Sequence, residues 1–411
     1  MDMEILKKLY GSEKAAIARK TQLTELENEF EQRFGSLESS VMVSAPGRTE
    51  IVGNHTDHNL GCVMAASVDL DTVAVAAPTG DSKVTLYSKG YKKPFIVDIS
   101  RLDSIPEEKE TTLSLIRGVA AGLKNKGYNV GGFNACVASN VQRGSGLSSS
   151  AAFEVMLVKL FDVLFNGETV PAELNARISQ WAENNYFLKP SGLMDQMASA
   201  VGGLVYIDFA GGGARTEAIK YDFSKKGLNV CVVSAGGDHG NLTAEYAAIP
   251  AEMKQAAKAL GGSVLSEVED KIEDGIPLLK GKVPDRAILR ALHFKDENER
   301  VRKMAEALKN DDIRAFLDGI IESGESSWKL LQNLCVPGHD NQEMLLALEL
   351  SRRMLKDDGA WRIHGGGFAG TILAFVPDEK LSAYIERMES VFGKGCAKPL
   401  FIRPDGAVRI R

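Results

Sequence analysis

The chain is poor in the features that would mark a secreted, metal-clamped or nucleic-acid-binding protein. Five cysteines occur in 411 residues: Cys62, Cys136, Cys231, Cys335 and Cys396. They are odd in number, far apart and mostly flanked by apolar residues, and none forms a CxxC or Cys/His pair with metal-ligand spacing. A disulfide framework and a zinc site are therefore disfavoured, and buried free thiols in a reducing compartment are expected. No apolar run approaches the length needed to span a bilayer. Residues 1–35 carry charges every few positions and lack the apolar core of a signal peptide. An excess of positive charge is also missing. Lys and Arg number 49 against 55 Asp and Glu, for a formal net charge of -6. Such a surface does not generally attract nucleic acid or anionic membranes. Internal repeats and low-complexity tracts are absent. The expectation is a soluble, cytoplasmic protein with neither nucleic-acid nor membrane partners.

What is present reads as an ordinary globular chain. Hydrophobic residues make up 44% and charged residues 25%. The length suits two domains. Residues 1–35 predict one or two amphipathic helices. A short strand is expected in "VMVSAPGR", ending at Pro46-Gly47. Strand-like runs follow at 62–78, 83–88 and 95–100, then a helix near 111–125 and a strand in "GGFNACVAS". Helices are expected near 147–165, 171–187 and 193–200, and a strand at 203–209. The Gly- and Lys-rich stretch 210–227 is the candidate domain boundary. Beyond it come a buried-type strand at 228–236, helices near 241–260, 284–309, 311–323 and 341–357, and a strand–turn–strand–helix–strand ending. Strands and helices cluster in each half, which predicts an α+β class in two domains, 1–218 and 219–411.

Three polar islands interrupt this pattern. The first, "NVQRGSGLSSSAAFEV", sets alternating glycines and three serines ahead of an apolar helix. A helix N-terminus has unpaired N–H groups and attracts anions, and glycine lets the backbone approach a phosphate closely. The same turn would also suit a simple serine N-cap. It is not a Walker A loop, because no Gly-Lys-Ser/Thr follows. The second, "APGRTEIVGNHTDHNLG", gathers Arg48, Glu50, Asn54, His55, Asp57, His58 and Asn59 between strands. Arg48 could clamp a phosphate or pair with a carboxylate, and Asp57 and Asn59 could fix sugar hydroxyls. A metal site from His55, Asp57 and His58 is conceivable, though HxDH is not a standard ligand spacing. In the third island Asp195 and Gln196 sit among Leu193, Met194, Met197 and Ala198. A carboxylate in apolar surroundings is costly unless paired. A second Gly-rich turn, "HGGGFAGT", lies between two strands of the other half, consistent with a cleft between domains.

Together these islands resemble the galactokinase family of the GHMP small-molecule kinases. Residues 47–61 resemble the signature GRxNxIGEHTDYNxG, Gly144 to Ala152 resemble P-x-G-x-GLSSSAA, and "GGGFAG" resembles GGGFGG. "PSGLMDQMAS", "GGDHGNLTAEY" and "RALHFKDENERV" match further family segments in order, over roughly residues 20–408. The resemblance implies a two-domain GHMP kinase fold with its active site in the cleft between domains, and ATP-dependent phosphorylation of a sugar's anomeric hydroxyl. It makes Gly144, Ser145, Gly146, Leu147, Ser148, Ser149 and Ser150 the ATP phosphate loop. Ser149 and Glu183 become the magnesium ligands, and Asp195 and Arg48 the catalytic pair. Asn54, His55, Asp57, Gly192 and Tyr246 become sugar-binding residues. The implied partners are ATP, Mg2+ and a small sugar, with the chain a monomer or weak homodimer.

The departures concern the sugar. Asn54 stands where the family has Glu, and His58 where it has Tyr. Losing a carboxylate would make an anionic sugar more tolerable, so galactose and galacturonate both stay open as substrates. Ser191 for Cys, Gln142 for Pro and Ala369 for Gly are compatible with backbone-mediated contacts. A non-catalytic sugar and ATP sensor is the remaining reading. It is opposed by an intact GLSSSAA loop with Arg48, Glu183 and Asp195 all present.

Overall fold

The computed structural model describes all residues except 143–145, 190, 237–241, 336, 337, 339 and 369, and omits the side chain of Thr243. Two helices open the chain, α1 (Met3–Tyr10) and α2 (Glu13–Phe34). Asp2 and Ser12 cap them by accepting from backbone N–H groups. Strands β1 (Val41–Val52), β2 (Cys62–Pro78), β3 (Lys83–Ser88) and β4 (Phe95–Asp98) follow, then α3 (Thr112–Asn125) and β5 (Phe133–Ser139). Next come three helices, α4 (Ser149–Phe165), α5 (Ala172–Ala182) and α6 (Met194–Val201), and two strands, β6 (Leu204–Asp208) and β7 (Arg215–Ile219). The second half holds β8 (Leu228–Gly236), α7 (Thr243–Ala259), α8 (Ile276–Leu279), α9 (Asp285–Lys309), α10 (Ile313–Ser326) and α11 (Glu343–Leu355). It finishes with β9 (Ala360–His364), β10 (Gly370–Pro377), α12 (Asp378–Phe392), β11 (Ala397–Leu400) and β12 (Val408–Arg409).

The strands form two sheets. The larger runs β12-β1-β2-β5-β3-β4, with β6 and β7 branching from β2; the smaller runs β11-β8-β10-β9. The larger sheet's pairings are antiparallel except β3 with β5. One apolar core joins the two sheets. It combines Ile51, Met64, Val68 and Leu204 of the larger with Val230, Leu373 and Phe375 of the smaller, and with Phe316 and Ile320 of α10.

Three features differ from the sequence reading. The first strand does not stop at Pro46-Gly47 but continues to Val52. A register shift between Pro46 and Arg48 absorbs the proline and glycine as a bulge. A Cβ at Gly47 would lie 2.8 Å from the Leu147 carbonyl oxygen, so glycine lets the strand touch the turn ahead of α4. The stretch 210–227 is not only a linker, because β7 within it pairs along the whole of β6. The chain end also crosses back: Val43 and Ser44 of β1 pair with β12. Cys62, Cys136, Cys231 and Cys396 are buried free thiols and Cys335 is half-buried.

A candidate active site at the start of the fourth helix

Three segments meet at the N-terminus of α4. Arg48, at the bulge of β1, donates from Nε to Asp195 Oδ1 (2.7 Å) and from its guanidinium to the Gly146 carbonyl. Its backbone N–H donates to the Leu147 carbonyl (3.0 Å). Ser148 donates to the other Asp195 oxygen, Oδ2 (2.6 Å). Ser148 has φ 56°, a left-handed conformation that turns the chain into α4. No side chain among the described residues caps α4, so its first-turn N–H groups are placed to receive an anion. Gly144 and Ser145 lie outside the described residues. Gly146, Leu147, Ser148, Ser149 and Ser150 form the turn and the helix start.

Asp195 is partly open, with its side chain 31% exposed. Burial alone would raise its pKa. The Arg48 charge and the hydrogen bonds from Arg48 and Ser148 outweigh that and hold the carboxyl below its ordinary range. The group is therefore an ionised acceptor, fixed at both oxygens.

The residues expected to bind the sugar converge on the glycine turn after β9. Asn54 Nδ2 donates to the Gly365 carbonyl (2.7 Å), His55 Nε2 to Gly366 (2.9 Å) and the Tyr246 hydroxyl to Gly367 (2.7 Å). Three successive carbonyls thus hold three residues from two distant parts of the chain. Donation from Nε2 leaves His55 Nδ1 as an acceptor, and it is buried without a partner among the described residues. Burial, then the nearby His58, lowers the His55 pKa to about 3, so the ring is neutral. Asp57 packs directly on Gly192, where any Cβ would overlap Asp57 Oδ2. This contact puts Asp57 three residues from Asp195 along α6's approach. His55 and His58 rings lie 5.9 Å apart. Among the described residues, no three His, Cys, Asp or Glu side chains are grouped to hold a metal.

Asn54 corrects one expectation. Its side chain is fully buried, and it is spent within the protein rather than open to a ligand. Besides Gly365, it donates to Glu50 Oε1 (2.9 Å) and accepts from Asn333 Nδ2 (2.8 Å). Glu50 in turn receives Arg362 NH2 (3.0 Å). The loop around Asn54 is anchored from α9. Glu297 accepts the N–H groups of Gly53 (3.0 Å) and Asn54 (3.3 Å), and His293 Nε2 bonds the Asn54 carbonyl (2.9 Å). His364 lies against Gly146 in the turn ahead of α4. Its Nε2 accepts the Glu50 N–H (3.2 Å) and contacts Thr49 Oγ1 (3.0 Å).

Two residues make contacts that sequence reasoning did not foresee. Gln196 Nε2 donates to both Glu154 Oε2 (3.0 Å) and Glu183 Oε2 (2.9 Å), joining α4, the end of α5 and α6. All three side chains are buried. The signal was visible as a polar residue in the apolar run of α6. Ser148 was expected only in the phosphate loop, and its bond to Asp195 depends on contacts 47 residues apart.

Residues 28–78 match the model of the galactokinase galactose-binding signature, and residues 114–203 that of the GHMP kinases N terminal domain. A galactokinase of Glaesserella parasuis is 32% identical over 365 residues, which is 87% of this chain and 90% of that protein. The chain belongs to the galactokinase family. As a family member it is a kinase-type phosphotransferase that uses ATP. Its fold is that of the family. Lactococcus lactis galactokinase complexed with galactose superposes with a TM-score of 0.81 at 24% identity, covering 94% of this chain and 99% of that one. The mevalonate kinase of Methanococcus jannaschii gives 0.63 at 16% identity, covering 89% and 99%. Against the galactokinase signature GRxNxIGEHTDYNxG, the Asn and Glu of the motif have changed places here, as Glu50 and Asn54. The carboxylate is thus relocated rather than lost.

Proposed function

We propose that the protein transfers the γ-phosphoryl group of ATP to the anomeric hydroxyl of galactose, giving galactose 1-phosphate and ADP. The observation that carries this reading is the Arg48–Asp195–Ser148 constellation at an uncapped helix start, beside the His55–Asp57–Gly192–Tyr246 face. Asp195 orients the hydroxyl. Being held ionised by Arg48, it is a weak base, but phosphoryl transfer has a loose transition state and needs the proton taken only late. Arg48 stabilises charge on the transferring group. The lone pair of His55 Nδ1 suits a hydroxyl donor, and Asp57 a second one. Tyr246 keeps the glycine turn in place through Gly367.

The residues present fit a magnesium ion. Glu183 has one oxygen held by Gln196, and its other oxygen already faces a cation, Lys189 Nζ at 3.4 Å. Magnesium is commonly held by one or two carboxylates with substrate phosphates and water. Glu183 and Ser149 would hold it, and it would neutralise charge on the ATP phosphates.

Asn54 gives no ground for an anionic sugar, because its amide is closed off. The cytoplasm remains the proposed location. No helix among the described residues is long and apolar enough to cross a membrane. The test is ADP release with ATP and magnesium on galactose, galacturonate, glucose and galactosamine side by side. Galactose should dominate. Turnover mainly on galacturonate, or on none, would overturn the reading.

A further inference from the structure

The approach to α6 carries a cation that the mechanism above does not use. After α5 the chain makes a wide π-type turn, Glu183–Phe187. Leu188, at φ 65°, closes it, and the Lys189 N–H donates to the Glu183 carbonyl (3.2 Å). This folds Lys189 back over Glu183, with Nζ 3.4 Å from Oε1. The two side chains straddle the surface: Glu183 is 3% exposed and Lys189 60%. Below them lie Gln196 and Glu154, and Glu154 Oε1 and Gln196 Oε1 are buried without partners among the described residues. Three carboxylates, Glu154, Glu183 and Asp195, therefore gather from three segments. Arg48 is committed to Asp195 and Gly146. Among the described residues, Lys189 is a further positive charge acting on both Asp195 and Glu154.

An ammonium on a four-carbon stem can turn without moving the backbone. Its present partner, Glu183, is the carboxylate that a divalent cation would occupy. Two cations cannot share one carboxylate oxygen at full strength, and incoming ATP brings phosphate oxygens that need donors. We propose that Lys189 is an exchangeable counter-ion of the nucleotide site. It neutralises Glu183 when the site is empty, and it turns to the ATP phosphates when a divalent cation takes its place. This rests on the reading that ATP binds at the start of α4 with Glu183 as a cation ligand. Lys189 thereby adds a phosphate-binding residue on the α5–α6 connection, outside the glycine–serine loop.

The exchange predicts opposite effects on two ligands, which a merely structural lysine would not produce. In Lys189→Met, Mn2+ titrated alone should bind about threefold more tightly, because an exposed ionic competitor has gone. ATP titrated without a divalent cation should bind about tenfold more weakly, because a charge-assisted donor has gone. Lys189→Arg should restore ATP affinity. Both constants are read by calorimetry, with galactose binding followed alongside to report on folding. Mn2+ and ATP constants equal to the native ones would overturn the role of Lys189 alone. A native protein that binds neither Mn2+ nor ATP would overturn the nucleotide-site reading, and this proposal with it.

Discussion

Replacing Asn54 with glutamate should destabilise the protein strongly, and replacing Glu50 with asparagine at the same time should restore most of the loss. In the native protein Asn54 Nδ2 donates to Glu50 Oε1 at 2.9 Å and to the Gly365 carbonyl at 2.7 Å. A glutamate there turns both contacts into oxygen facing oxygen, at a side chain with no solvent exposure. Leaving a buried acceptor without a donor costs about 1–3 kcal/mol. An uncompensated buried charge costs about 3–5 kcal/mol. The single variant should therefore lose at least about 4 kcal/mol. With an unfolding entropy of about 2 cal/mol/K per residue over 411 residues, that loss lowers Tm by about 5 °C. In the double variant the carboxylate occupies position 54 and the amide position 50, the arrangement of the family signature. Arg362, which now bonds Glu50 and the Ile51 carbonyl, stays beside the pair. A double-mutant cycle read by thermal unfolding should give a coupling of at least about 3 kcal/mol. Additive losses, or an Asn54→Glu variant as stable as the native protein, would refute the claim that these two positions form one buried unit.

Two further outcomes follow from the charges around the site. Arg48→Met should lower kcat by about a thousandfold, as for loss of a group that stabilises the transferring phosphoryl. Arg48 is also what overcomes burial at Asp195. Its removal should raise the Asp195 pKa and bring an acid limb of kcat into higher pH; an unmoved pH profile would contradict this. His364 is kept neutral well below its ordinary value of 6.5, chiefly by burial and then by Arg48 and Arg362. The unfolded chain binds a proton there below that pH and the folded protein does not, so stability falls as pH drops below about 6.5. His364→Gln should reduce the slope of unfolding free energy against pH by about 1.4 kcal/mol per pH unit between pH 6 and 4.5. An identical slope in both proteins would rule out His364 as a source of acid lability.

Much of the fold was legible because its signals are local. The Val- and Ala-rich strand-like run of β2 and the buried run of β8 stand out residue by residue, and both were placed with the observed limits. The end of β1 was not legible, since Pro46-Gly47 reads as a turn until β2 supplies the partner that makes it a bulge. Polar β7 and two-residue β12 exist only because β6 and β1 offer unpaired edges. At the site, Arg48 and Asp195 were legible through their motifs, and the structure brings them into contact. Asn54 was legible as a departure but not as a buried one, because its partners Gly365 and Asn333 lie 311 and 279 residues away. Lys189 gave no signal beyond a charge beside a proline; only the fold of the turn after α5 sets it over Glu183.

The most direct test of the central claim is the rate and product of ATP-dependent phosphorylation of galactose by the native protein and by Asp195→Asn, with the product identified by phosphorus NMR. The account predicts galactose 1-phosphate from the native protein. It predicts a loss of at least about a thousandfold in Asp195→Asn, with ATP and galactose still bound. A native protein that binds both substrates yet forms no galactose 1-phosphate, or a variant that keeps most of its rate, would contradict it.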